Sequence, residues 1–156
     1  MFDTQTVTFV EGGCALIVGV TLPDGAPYAT RGWGLQVRSA GQGLVRLLLA
    51  ASDTERLPGV FDDAPIAVTG ADVPTLRSLQ LKGRTVALEP ATVEDIERME
   101  RYCDGFFGDV ERVDGTPRDV MQRLVPARFV ACAIQVDTFF DQTPGPGAGA
   151  AVTASS

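Results

Sequence analysis

The first half of the chain is a succession of short apolar runs broken by glycine- and proline-bearing turns, and that rhythm admits few folds. Cys14–Thr21 (CALIVGVT) ends at Leu22-Pro23-Asp24-Gly25, where Pro and Gly stand in the places a β-turn wants them. Ala26–Val37 resumes as a second strand, so the two make a hairpin. Gly41-Gln42-Gly43 turns the chain again into a third, Leu44–Ala50 (LVRLLLA). After a polar loop with Asp53, Pro58, Gly59 and Asp62-Asp63, two more strands follow, Pro65–Thr69 and Ser78–Leu88. Strands of this length and spacing predict an antiparallel barrel or sandwich.

The pattern then changes period. Thr92 can cap a helix, with Asp95 at the N3 position of a capping box. Ile96, Met99, Cys103 and Phe106 follow at steps of three and four, one face of a helix that Gly105 and Gly108 are expected to weaken and end. Pro117–Leu124 reads as a second short helix with Pro in its first turn. Arg128–Asp137 (RFVACAIQVD) is a final strand, apolar on both faces and therefore expected to be central. At 156 residues the chain makes one domain, residues 1–141, followed by a Pro/Gly/Ala-rich tail, residues 142–156. Gly145, Gly147 and Gly149 in that tail stand between no strand and helix, so their spacing is not a dinucleotide fingerprint.

Composition narrows the chemistry. The sequence has no histidine, which excludes a Ser-His-Asp triad, His-ligated zinc or haem, and an imidazole proton shuttle built from this chain alone. Thirteen Lys and Arg against twenty Asp and Glu give a net charge of −7, so no nucleic-acid-binding face is expected. Cys14, Cys103 and Cys132 are widely spaced with no C-x-x-C, and read as reduced thiols of a cytoplasmic protein. The N-terminus shows no basic region followed by an apolar core, so no signal peptide is expected. No apolar run approaches the roughly 18 residues of a membrane span, so no membrane partner is expected.

Three features invite a functional reading. Simple alternation along the second strand places Ala29, Arg31, Trp33, Leu35 and Val37 on one face, and Gly32 and Gly34 on the other. Arg31 then shares an apolar face and needs a carboxylate or a phosphate, while the glycines let a planar ligand approach. Alternatively the glycines mark barrel bends, and Arg31 snorkels outward or pairs with an Asp. Along Ser78–Leu88 the residues Ser78, Gln80, Lys82 and Arg84 project to one face, a doubly cationic stripe that suits either an anion and a polar ring edge or plain solvent. The loop Ser52-Asp53-Thr54-Glu55-Arg56 offers a hydroxyl and a guanidinium, as a phosphate clamp would. Glu94, Glu97 and Glu100, interleaved with Arg98 and Arg101, read as a solvated helix surface. Phe106-Phe107 and Phe139-Phe140 read as core or dimer contacts.

The opening hairpin CALIVGVTLPDGAPYATRGWGLQV, the third strand LVRLLLAASDTER, RSLQLKGRTVAL followed by a helix, and the terminal FFDQTPGPGAG resemble, in that order, the pyridoxamine 5′-phosphate oxidase-like, FMN-binding split-barrel superfamily. The resemblance spans about residues 10–150 and is one of pattern and element order. It implies a six-stranded antiparallel split β-barrel, mainly β with one or two flanking α-helices, and a homodimer with FMN at its interface. It implies flavin-dependent oxidoreductase chemistry on a small-molecule substrate or electron donor. Deazaflavin use, or a cofactor-free binding dimer, is the alternative within the same fold. By position it assigns Arg31, Thr54 and Arg56 to the cofactor phosphate, with Lys82 nearby. It assigns Ser78 or Gln80 to the isoalloxazine, with Trp33 packed beside it. The oxidase's C-terminal Trp/Arg substrate region has no counterpart here, so vitamin B6 oxidation is not implied.

Overall fold

Alternating side chains decide which surface of the sheet closes on itself. The computed structural model describes residues 2–152. The elements are α1 (Thr4–Glu11), β1 (Ala15–Thr21), β2 (Pro27–Ser39), β3 (Leu44–Ala50), α2 (Ala51–Arg56), β4 (Pro65–Ala71), β5 (Ser78–Pro90), α3 (Val93–Asp114), α4 (Arg118–Gln122), β6 (Phe129–Asp141) and β7 (Ala150–Ala151). The strands run β3-β2-β1-β4-β5-β6-β7, every pairing is antiparallel, and β3 also pairs with β6. That last pairing closes a six-stranded barrel. Leu16, Val18, Val20, Val68, Leu81, Val45, Leu47, Ile134 and Val136 fill it, all buried. Each such side chain contributes about 1.5–3 kcal/mol relative to exposure. Strand β6 is central as expected, paired on both sides.

Closure is incomplete at one end. β6 follows β3 only as far as Gln135 and then leaves it, continuing to Asp141 against β5. Phe2 fills the gap: its N–H donates to Ala40 O at 3.1 Å, and its ring packs edge-on against Phe139 at 4.7 Å. The sequence reading had no helix here. TQTVTFVE is rich in β-branched residues and poor in helix formers, and α1 is held by the Asp3 cap on Thr6 N (2.7 Å) and by the buried Val10. Beyond Gln142 the chain turns back, and β7 pairs Ala151 with Phe140. Residues 153–156 lie outside the described residues.

Helix α3 covers part of the barrel's outside. The capping box is complete: Thr92 Oγ1 accepts from Asp95 N (3.2 Å), and Asp95 Oδ2 accepts from Thr92 N (2.8 Å). Asp95 also receives Arg46 of β3 through two N–H groups, Nε at 2.9 Å and Nη2 at 2.8 Å, while Arg46 Nη1 reaches Glu89. Gly105 and Gly108 do not end the helix, contrary to the sequence reading. It runs 22 residues to Asp114 and stops at Gly115, whose φ of 76° supplies the left-handed cap. At Gly105 the helix instead makes a close crossing with the chain before β1, which Gly13 permits. A Cβ on Gly13 would lie 2.7 Å from Phe106 N and 2.8 Å from Gly105 C. Helix α4 is shorter than Pro117–Leu124, and Pro117 stands at its N-cap.

Two outcomes test this account. Hydrogen bonding from Arg46 holds the Asp95 carboxyl at about 2, below its ordinary 3.8. A depressed carboxylate stabilises fully above the unfolded value, and that stability is lost as pH falls from near 4 toward 2, on the order of 2 kcal/mol. Asp95→Ala should remove this acid limb and cost about 3 kcal/mol by leaving Arg46 half-paired, as read by denaturant titration at two pH values. Gly13→Ala should cost about 1–3 kcal/mol, because backbone must move. Gly105→Ala, whose Cβ would meet only Gly13 Cα at 3.6 Å, should be neutral or stabilising in a thermal melt.

Candidate functional site

Helix α3 leaves the outer surface of β1, β4 and β5 uncovered, and register puts most of the candidate residues there. One cross-strand row runs Arg31–Ile17–Thr69–Gln80–Phe140, and the next Ala29–Gly19–Ala67–Lys82–Thr138. At about 4.8 Å per strand, Arg31 and Gln80 stand roughly 14 Å apart on one face. The floor between them is flat because Gly19, Ala29 and Ala67 are small. Ile17 in that floor is 45% exposed. An open groove of about 570 Å³ lies over Gly19, Pro27, Ala29, Pro65, Ala67 and Lys82. A Cβ built on Gly19 meets nothing within 4 Å, so the space above it is free.

The second strand corrects the simple alternation. Between Gly32 and Leu35 the pairing with β3 slips by one residue, and Gly34 takes φ 108° in the resulting bulge. Arg31 and Trp33 therefore stay outside, while Leu35 and Val37 turn inward opposite Leu47 and Val45. Gly32 is no ligand face: a Cβ there would meet Leu47 Cδ1 at 2.9 Å and Leu16 Cβ at 3.0 Å inside the barrel. Trp33 is buried, edge-on to Phe129 at 6.3 Å.

Arg31 is the unusual group. Its guanidinium lies 5.4 Å from the Phe106 ring centre and 6.0 Å from Trp33, positions that favour a cation. Its Nη1 is buried without a hydrogen-bond partner, and among the described residues Arg31 forms no ion pair. Across the face, Lys82 Nζ sits 4.6 Å over Phe140 and also has no carboxylate partner among those residues. Gln80 Nε2 donates to Thr69 Oγ1 (2.9 Å), and Ser78 Oγ to Leu76 O (2.9 Å). Arg84 is neutralised by Asp63 at 3.0 Å.

Thr54 and Arg56 lie apart from this face. Their segment is the helix α2 rather than a loop. There Thr54 Oγ1 donates back to Ala51 O (3.0 Å) and Arg56 pairs with Asp53 (3.2 Å). Asp53, buried, also accepts from the Thr30 hydroxyl. Thus Arg31 and Trp33 are neighbours, Ser78, Gln80 and Lys82 share the face with them, and Thr54 and Arg56 are engaged elsewhere. The sequence reading missed Gly19, Ala29 and Ala67, because their smallness means something only once register lines them up.

No protein-family model and no curated protein matches the sequence. Solved structures do match. HupZ of Group A Streptococcus aligns with a TM-score of 0.57 at 13% identity, covering 95% of this chain and all of that one. An F420 reductase aligns at 0.56 and 15%, covering 85% and 93%. A putative pyridoxamine 5′-phosphate oxidase from Lactobacillus delbrueckii aligns at 0.51 and 10%, covering 89% and 93%. The fold is the split barrel. The uncovered sheet face described above is thus an outer face of a split barrel, and the expected fold class stands. No helix among the described residues is long and apolar enough to cross a membrane. Those residues also hold no cluster of three or more Cys, Asp or Glu that could bind a metal.

The cysteines of this split barrel are buried and unpaired. Burial pushes the thiols of Cys14 and Cys132 up to about 12 and that of Cys103 to about 11. Native protein at pH 8 should therefore take up no iodoacetamide, and denatured protein should gain three alkyl groups by mass spectrometry.

Proposed function

We propose that the chain is an FMN-binding homodimer with oxidoreductase chemistry, its cofactor held on the uncovered sheet face between two copies. The observation that carries this reading is the pair of unpartnered cations at opposite edges of that small-residue floor. A buried guanidinium nitrogen with no partner is costly unless an anion completes it, and a phosphate end supplies one. Gly19, Ala29 and Ala67 leave room for a planar ring lying against the strands, and Gln80 and Ser78 offer polar groups at its edge. Exposed Ile17 needs cover that a second copy provides. Likeness in fold to proteins named for F420 and for pyridoxamine 5′-phosphate supports the same reading.

Bound there, a flavin supplies the hydride or electron transfer. The chain's residues bind and orient. Arg31 and Lys82 hold negative charge, Trp33 backs the Arg31 stem, and the apolar floor excludes water. Thr54 and Arg56, engaged within α2 away from this face, have no part in the site so drawn. A deazaflavin is the second reading, favoured by the alignment to the F420 reductase.

The test is the visible spectrum of protein purified without added cofactor and again after FMN and desalting. Retention of about one FMN per chain is expected; a protein that stays colourless overturns the reading. Arg31→Ala should weaken FMN binding about 10- to 100-fold in a fluorescence titration, the equivalent of a charge-assisted hydrogen bond. Gly19→Val should fold normally, since a Cβ there has open space for 4 Å around it and the strand favours a β-branched residue. It should nonetheless lose flavin and run as a monomer in light scattering.

A further inference from the structure

Three buried side-chain polar atoms among the described residues lack any hydrogen-bond partner: Arg31 Nη1, Arg98 Nε and Tyr102 OH. Native interiors pair nearly all such atoms. These three are not scattered. Arg98 and Tyr102 stand one turn apart on α3, and Tyr102 and Phe106 one turn further. Arg31 lies over that same Phe106, and the Tyr102 ring stacks on it at 5.8 Å with planes 22° apart. Arg31 and Tyr102 thus both lie against one aromatic ring where α3 crosses β2, near enough for the charge of Arg31 to act on the Tyr102 hydroxyl.

Tyr102 is 4% exposed. Gly34 lies beneath it in the β2 bulge, where a Cβ would come into van der Waals contact with Tyr102 Cβ at 3.5 Å. Burial and the nearby Cys14 hold its hydroxyl protonated well above the ordinary range, against the smaller opposite pulls of Arg31 and of the Leu16 backbone N–H, which approaches the hydroxyl oxygen and leaves its proton free to donate. The hydroxyl is therefore a permanent donor. Its other neighbours bring no negative charge: Met99 is neutral, and burial keeps the Cys14 and Cys103 thiols protonated. The seam gathers donors around a positive charge that no carboxylate among the described residues compensates, and chemistry of that kind fits an oxyanion.

We propose that Tyr102 is a second donor to the oxyanion that Arg31 receives. This rests on the flavin reading where the oxyanion is the cofactor's phosphate end, but the same donors would take free phosphate. Tyr102 is then a binding residue contributed by the roof of the site rather than by its sheet floor.

The experiment compares wild-type protein with Tyr102→Phe, which keeps the ring and removes only the hydroxyl. FMN affinity should fall about five- to tenfold, as for one hydrogen bond to an anion, while affinity for riboflavin, which lacks the phosphate, stays unchanged. The ligand-free melting temperature should stay within a few degrees of the wild type, because the ring and its packing are kept and a single buried hydroxyl is lost. Inorganic phosphate should stabilise the wild type more than chloride at equal ionic strength, and the variant less. Equal FMN and phosphate binding by both proteins overturns the proposal, as does an equal loss of FMN and riboflavin. If the wild type takes up no flavin, the flavin reading falls and phosphate alone decides. Stabilisation lost in Tyr102→Phe then upholds the donor role, and a wild type indifferent to phosphate overturns it.

Discussion

The ion pair between Arg46 and Asp95 fixes where α3 begins, and with it which part of the barrel is roofed. Asp95 serves two masters, the backbone N–H of its own helix cap and the guanidinium of β3. Few groups tie a helix end to a sheet so narrowly, because both oxygens are committed and the geometry is bidentate. From that anchor the helix runs over β2, meets the chain before β1 at Gly13 and Gly105, and sets Tyr102 and Phe106 beside Arg31. The outer faces of β1, β4 and β5 are left bare as a result.

A bare face on a barrel needs a reason. Exposed sheet usually carries charged or polar side chains, yet here the outward positions at the centre are Gly19, Ala29 and Ala67 around an exposed Ile17. In a chain with a net charge of −7, the two cations at its edges have no carboxylate partner among the described residues, while Arg84, a row away, is neutralised by Asp63. It is this selective neutralisation on which the proposed anion site rests.

The strands were legible because inward apolar residues recur at every second position and turns carry Gly and Pro. The helices were less so. Gly105 was read by intrinsic propensity, a penalty of about 1 kcal/mol, which the 22-residue helix absorbs, and the close backbone crossing beside it depends on Gly13, which no local pattern reveals. The first helix has a sequence suited to a strand and is helical because its cap and Val10 are engaged by the rest of the molecule. On the site, Arg31 stood out as a cation within an apolar run, and the alternation of Ser78, Gln80 and Lys82 held. The bulge at Gly34 was invisible, since one inserted residue leaves composition and local propensity untouched. Tyr102 was overlooked because it lies beside the helical face drawn through Met99, Cys103 and Phe106 and gains meaning only against β2.

That bulge divides β2 into two stretches that answer to different demands. Before it, Ala29, Arg31 and Trp33 look outward; after it, Leu35 and Val37 look into the core. On the reading proposed above, the outward Ala29 and Arg31 of the first stretch would act on what the molecule binds, while Gly32 and the second stretch serve the barrel interior. A lineage built on this strand could then change its ligand at those outward positions without reworking the core. One extra residue would thus let recognition and stability evolve separately within a single strand.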